Sequence, residues 1–164
     1  MIQNTSLMNK IKMEQKNISY KSLIYQNQTI LSSATVIILD DSKVLVGWNT
    51  WREQWELPSG HIEPGEKPID AALRETSEEV HLNLNHIAYL DSFSVQRSTN
   101  EREHLRVVYV SHVNSSVSKE FIYNASEDEN NKTQWIPLIQ ILNMANIDYS
   151  DWYILKALYK QLRV

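Results

Sequence analysis

The sequence predicts an α/β (α+β) domain, a mixed β-sheet with helices packed on it. Three observations lead there. Two apolar, β-branched runs, Ala34–Leu39 and Val44–Trp48, flank the turn-forming Asp40, Asp41 and Ser42. A segment with helical spacing follows Pro68. Further strand-like stretches then give way to an amphipathic C-terminal segment.

The two runs around Asp40–Ser42 form a hairpin in this reading. Trp51–Gly65 is loop-like, punctuated by Pro58, Gly60, Pro64 and Gly65. Pro68 suits the first turn of a helix, where its missing N–H costs nothing. From Ile69 to Val80 the apolar residues Ile69, Ala72, Leu73 and Val80 recur at helical spacing. Leu84–Val95 and His104–Val113 are longer strands, and Phe121–Tyr123 is a candidate short one. Glu127–Thr133 is a polar loop. Trp135–Leu138 opens an apolar stretch that Ile139–Met144 continues at helical spacing, and Ser150 or Asp151 caps a last helix, Trp152–Leu162. Residues 1–30 are dense in Asn, Gln and Lys without a clean apolar period, so they are expected to be an N-terminal extension that can serve a homodimer contact. Residues 31–164 form the domain.

Bulk properties narrow the function. A chain of 164 residues suits one domain better than two, and 42% hydrophobic residues are enough for one core. No apolar run approaches the roughly 18 residues that span a membrane, and Lys, Asn and Gln interrupt the N-terminus where a signal peptide is apolar. The absence of cysteine excludes disulfides and thiol catalysis and agrees with a cytoplasmic location. A net charge of −4 argues against a stable nucleic-acid complex. It leaves room for a small phosphorylated substrate, because a bound divalent cation reverses the local sign.

The most informative stretch is Gly60–Glu66 followed by Arg74–Glu79. On a helix, Glu75 and Glu79 stand one turn apart and about 40° from each other, and Glu78 lies about 60° to the other side of Glu75. Three carboxylates share one arc, with Arg74 one turn before Glu78. Such crowding is unfavourable without a cation, and oxygen ligands at this density suit Mg²⁺ or Mn²⁺. A solvated acidic face is the ordinary alternative, but it has no need of the Gly-rich loop led by Trp55, Leu57 and Pro58.

Gly60, Glu66, Arg74, Glu75, Glu78, Glu79 and Leu82 fall at the spacings of the Nudix box, with Trp55-Glu56-Leu57-Pro58 as its lead-in. The chain therefore resembles the Nudix hydrolase (MutT-like) family from about Ser32 to the C-terminus. Two positions depart: His81 stands where the box has its second Gly, and Ser59 where many members have Gly. The resemblance implies an α/β/α sandwich with a mixed β-sheet between helices. It also implies that Glu75, Glu78 and Glu79 hold Mg²⁺ (or Mn²⁺), with the Ser59 carbonyl as a further ligand. Any of the three glutamates can be the base. Arg74 would orient the carboxylates, Glu66 would brace loop and helix, and Gly60 and Gly65 would permit the loop's turns. A carboxylate after the box would add a base or ligand, with Glu129 preferred over Glu127 and Asp128. His81 is expected to adopt a left-handed backbone, at ~1 kcal/mol over Gly.

For substrate binding, Trp48, Trp51 and Trp55 offer flat faces to a nucleobase, and Arg52, Arg97, Arg102 and Arg106 offer charge to phosphate. The five histidines show no pairing suited to zinc. The expected activity is metal-dependent hydrolysis of a diphosphate linkage in a nucleoside triphosphate or other nucleoside diphosphate derivative. Dinucleoside polyphosphates and ADP-ribose are alternative substrates. A non-catalytic, nucleotide-binding regulator is the alternative from another class, and the intact box carboxylates argue against it.

Overall fold

A computed structural model describes residues 30–95, 104–114, 116–117 and 132–162. Among the described residues, seven strands form one mixed sheet: β1 (Ile30–Asp40), β2 (Lys43–Asn49), β3 (Gln54–Glu56), β4 (Ser59–His61), β5 (Ala88–Val95), β6 (His104–His112) and β7 (Thr133–Pro137). Among the described residues, helices α1 (Pro68–Val80), α2 (Leu138–Ile141) and α3 (Tyr149–Leu162) accompany them. β1 runs parallel to β6 and antiparallel to β2 and β4.

β1 explains the layering. Its side chains alternate between faces, yet Val36, Ile37, Ile38 and Leu39 are all buried, as in a strand covered on both sides. Val36 and Ile38 pack with Ala71, Ala72 and Val80 of α1. Ile37 and Leu39 pack with Ile141 of α2 and with Ile154, Leu155 and Leu158 of α3. The sheet thus lies between helices, an α/β/α sandwich. Each fully buried Leu or Ile in these layers contributes ~1.5–3 kcal/mol relative to an exposed one.

The predicted hairpin is present, with Leu39 opposite Val44 and Asp41 at φ 54° in the turn. It then splays. β3 pairs with β2 through Gly47↔Glu56, and β4 pairs with β1 through Thr35↔Ser59. Gly47 also pairs with Thr133 of β7, and Thr35 with Val108 of β6, so β3 and β4 occupy the edges of β2 and β1 that face each other. The stretch expected to be plain loop is therefore threaded into a wedge between two diverging strands. Runs this short are strands only through their partners, which local sequence does not show.

Other boundaries shift for identifiable reasons. β5 starts at Ala88 rather than Leu84, because Leu82 and Ile87 first pack onto the α1 layer as the chain crosses to the sheet. The last helix starts at Tyr149, and its cap is neither Ser150 nor Asp151. Asp148 Oδ1 accepts the backbone N–H of both, at 2.9 and 3.1 Å. On α1, Ile69 faces outward at 37% exposure, and Thr76 takes its place in the core, its hydroxyl donating to the Ala72 carbonyl at 2.8 Å. α1 ends at His81 with φ 53° and ψ 29°, the left-handed conformation expected there. Phe121–Tyr123, the loop 127–133 up to residue 131, and residues 1–29 lie outside the described residues. Among the described residues no helix is long and apolar enough to cross a membrane.

Candidate active site

The loop between β3 and β4 is held from three directions. Val36 N–H donates to the Pro58 carbonyl at 3.0 Å, Leu57 N–H to Asp151 Oδ2 at 2.7 Å, and Ser59 N–H to Glu79 Oε2 at 2.8 Å. The Val36–Pro58 bond makes Thr35↔Ser59 a pair whose own backbone groups lie outside the ladder. The Ser59 N–H and C=O consequently turn away from β1, and the N–H meets the α1 carboxylate.

Arg74 organises the exposed side of α1. Its Nε and Nη2 donate to the two oxygens of Glu66, both at 3.0 Å, in a bidentate pair. Nη1 donates to Glu75 at 2.6 Å and reaches Glu78 at 3.4 Å, while Nη2 also donates to the His61 carbonyl at 3.0 Å. Glu66 accepts Glu63 N–H at 2.9 Å as well, so one side-chain pair ties loop to helix. Arg74 and then the Glu63 N–H hold the Glu66 carboxyl below the usual range, and Glu66 and Glu75 keep the guanidinium protonated more firmly than usual. Gly60 has no positive φ; a Cβ there would meet the Glu75 Cδ at 1.9 Å, so the Glu75 carboxyl keeps its present place only beside a residue without a side chain. Gly65 does need its freedom, at φ 85°.

Glu79 behaves differently. Desolvation at the cleft wall pushes its carboxyl up to about 7, Ser59 N–H pulls it down, and Glu75, Glu56 and Asp151 add repulsion. The side chain keeps much exposed surface, so solvent screens what that shift is worth in stability. Among the described residues no three His, Asp or Glu side chains converge closely enough to hold an ion as they stand. Arg74 Nη1 is on Glu75 and near Glu78, and Ser59 N–H holds Glu79. The donor chemistry nevertheless fits a hard cation: three carboxylates share one helix face, and Glu79 is a carboxylate short of positive charge.

Beside Glu79 opens a cleft of about 270 Å³, lined by Trp48, Trp51, Glu56, Pro58 and Val80 among others. Trp51 is 96% exposed at its rim, where Asn49 Oδ1 accepts the N–H groups of Trp51 and Arg52. Arg52 pairs with Glu56 at 3.1 Å. Trp48 meets Trp55 edge to face at 5.1 Å, and Trp55 packs against the α3 layer rather than the cleft. Glu129, Glu127, Asp128, Arg97 and Arg102 lie outside the described residues.

The structure gives Asp151 and Arg106 roles other than the helix cap and the phosphate contact that their sequence positions suggest. Asp151 is 2% exposed and pairs with Arg106 at 2.6 Å, so Arg106 is spent on a buried ion pair and not on phosphate. Burial pushes the Asp151 carboxyl up to about 7 against the pull of Arg106 and of Leu57 N–H. The signal was present: Asp151, Ile154, Leu155 and Leu158 fall at i, i+3, i+4 and i+7, which puts a carboxylate on the apolar stripe.

The NUDIX domain model matches residues 30–158, which takes in the sheet, α1, α2, most of α3 and the loop described above. The chain belongs to the Nudix family. Among curated Nudix relatives, the RNA pyrophosphohydrolase of Ruthia magnifica subsp. Calyptogena magnifica is 40% identical over 55 residues, 34% of this chain and 31% of that protein. The asymmetrical bis(5'-nucleosyl)-tetraphosphatase of Sus scrofa is 41% identical over 39 residues, 24% of this chain and 26% of that protein. The chain thus aligns with a third or less of the length of these relatives. Among solved structures, Shewanella oneidensis NrtR superposes with a TM-score of 0.64 at 18% identity, over 80% of this chain and 63% of that one. At that identity the likeness shows the Nudix fold.

Proposed function

We propose that this chain is a divalent-cation-dependent hydrolase of a diphosphate linkage in a nucleotide substrate. The observation that carries the reading is the pairing of an intact carboxylate helix with a cleft beside Glu79 whose walls are aromatic. Glu75, Glu78, Glu79 and the Ser59 carbonyl would hold Mg²⁺ or Mn²⁺; when bound, such an ion supplies Lewis-acid charge at phosphate and lowers the pKa of water. The chain's own residues do the rest. Arg74 orients Glu75 and braces Glu66 against the loop. Trp48 and Trp51 present ring surface to a nucleobase, and Arg52 adds charge at the rim. Glu129 remains the candidate for the additional carboxylate. The names of the curated relatives describe hydrolysis of phosphate chains on RNA and on dinucleosides, which supports a nucleotide polyphosphate over a sugar phosphate.

The test is a product screen of the full chain over nucleoside triphosphates, diadenosine polyphosphates, ADP-ribose and 5′-triphosphorylated RNA, with Mg²⁺, Mn²⁺ or chelator. Hydrolysis should require the cation and should fall on the order of 10²–10³-fold in Glu79→Gln, the loss expected when a charge worth several kcal/mol is displaced. Full turnover by that variant, or in chelator, would falsify the metal assignment. Tight nucleotide binding under Mn²⁺ without turnover would assign a regulatory role instead.

A further inference from the structure

We propose that Asp151 is a positioning residue for the cation-holding loop, acting from the face of the sheet opposite the carboxylate helix. The inference rests on the reading of Ser59 and Glu79 given above. Its starting point is a ladder. Residues 146–151 run beside residues 54–57: Trp55 N–H donates to the Asn146 carbonyl at 2.7 Å, and Asp148 N–H to the Trp55 carbonyl at 2.9 Å. The next inward N–H on the loop side is that of Leu57. By then the facing chain has turned into α3, whose carbonyls serve the helix. Trp152 N–H, for example, already donates to the Asp148 carbonyl at 2.8 Å. The Asp151 carboxylate takes the rung instead, at 2.7 Å.

Asp151 can do this only because something fixes it. Its other oxygen receives Arg106 Nη1 at 2.6 Å, and the same nitrogen lies 3.4 Å from Ser150 Oγ. Arg106 is anchored on β6, which pairs with β1, the strand that also receives β4. The chain of contacts runs from β6 through Arg106 and Asp151 to Leu57, two residues before Ser59. Loss of the acceptor would leave a buried N–H without a partner and free the Leu57–Ser59 step to move. An outer partner of a metal ligand typically changes metal affinity by about 10–100-fold when removed.

The decisive experiment separates the acceptor from the ion pair. Arg106→Met with Asp151→Leu replaces the buried pair by apolar residues and removes the acceptor. Arg106→Met with Asp151→Asn removes the pair but keeps a carbonyl oxygen for Leu57. Mn²⁺ affinity is read by electron paramagnetic resonance, and amide exchange by mass spectrometry over residues 54–61. The Leu variant should bind Mn²⁺ about 10-fold more weakly than the Asn variant. It should also exchange faster in that segment, and lose kcat with little change in KM. In the unmodified chain, the Leu57 amide should exchange as slowly as the amides of β1; exchange at the rate of an unprotected amide overturns the proposal even if a variant fails to fold. Equal Mn²⁺ affinity in the two variants overturns it too, while the parent reading stands. If the unmodified chain binds no Mn²⁺, both fall.

Discussion

Helices α1 and α3 flank one sheet, and each gives a carboxylate to a backbone N–H of the same loop. Glu79 takes Ser59 N–H at 2.8 Å and Asp151 takes Leu57 N–H at 2.7 Å. Both carboxyls are pushed up to about 7. The bonds match, but the surroundings do not. Glu79 is exposed to the cleft, with Arg74 committed to its neighbours Glu66 and Glu75. Asp151 is sealed at 2% exposure and paired with Arg106. The same bond therefore leaves Glu79 open to the cleft on one face and fixes Asp151 in the interior on the other.

The two carboxylates should differ most in what their loss does to stability. Asp151→Ala strands the Arg106 charge in the interior and should cost ~3–5 kcal/mol in denaturant unfolding. Glu79→Gln keeps an exposed hydrogen-bonding group and should stay within ~1 kcal/mol of the parent. Similar losses for both would erase the distinction.

A pH series sharpens it. In each carboxyl the folded state holds its proton more tightly than the unfolded state, whose value is about 4. That contribution to stability is complete below about pH 4 and lost as pH rises through about 7. The cation-free melting temperature should fall between about pH 4 and pH 7 and level off above that. Saturating Mg²⁺ should flatten the part due to Glu79 and leave the part due to Asp151. An identical slope with and without Mg²⁺ would remove Glu79 from the cation site.

The contrast also shows what a sequence reveals. The β-branched runs on either side of Asp40–Ser42 and the helical spacing of Ala72 and Val80 make the hairpin and α1 legible, because each is a local pattern. The box spacing made Arg74 and its carboxylates legible, because all lie within one helix and its lead-in. β3, β4 and Asp151 depend on partners far along the chain; Leu57 and Asp151 are 94 residues apart. Ser150 and Asp151 both suit a helix cap by residue type. Only the position of Asp148 shows that the cap was already filled.

The smallest effect concerns the end of α1. His81 holds a left-handed backbone that Gly adopts without strain, so His81→Gly should stabilise the chain by up to ~1 kcal/mol in the same denaturant assay. Cation affinity should not change, since the substitution lies beyond the carboxylates. A loss of stability would mean that the His81 side chain contributes more than its backbone costs.

The wedge between β1 and β2 carries one more consequence, a matter of parity. Leu57 and Ser59 present their N–H groups to carboxylates while Pro58 presents its carbonyl to β1, an odd–even alternation along the chain. Inserting a single residue between Glu56 and Ser59 reverses that alternation, aiming an N–H at β1 and a carbonyl at a carboxylate. Inserting two restores it. In this molecule the length of the loop is therefore constrained as odd or even before it is constrained as short or long.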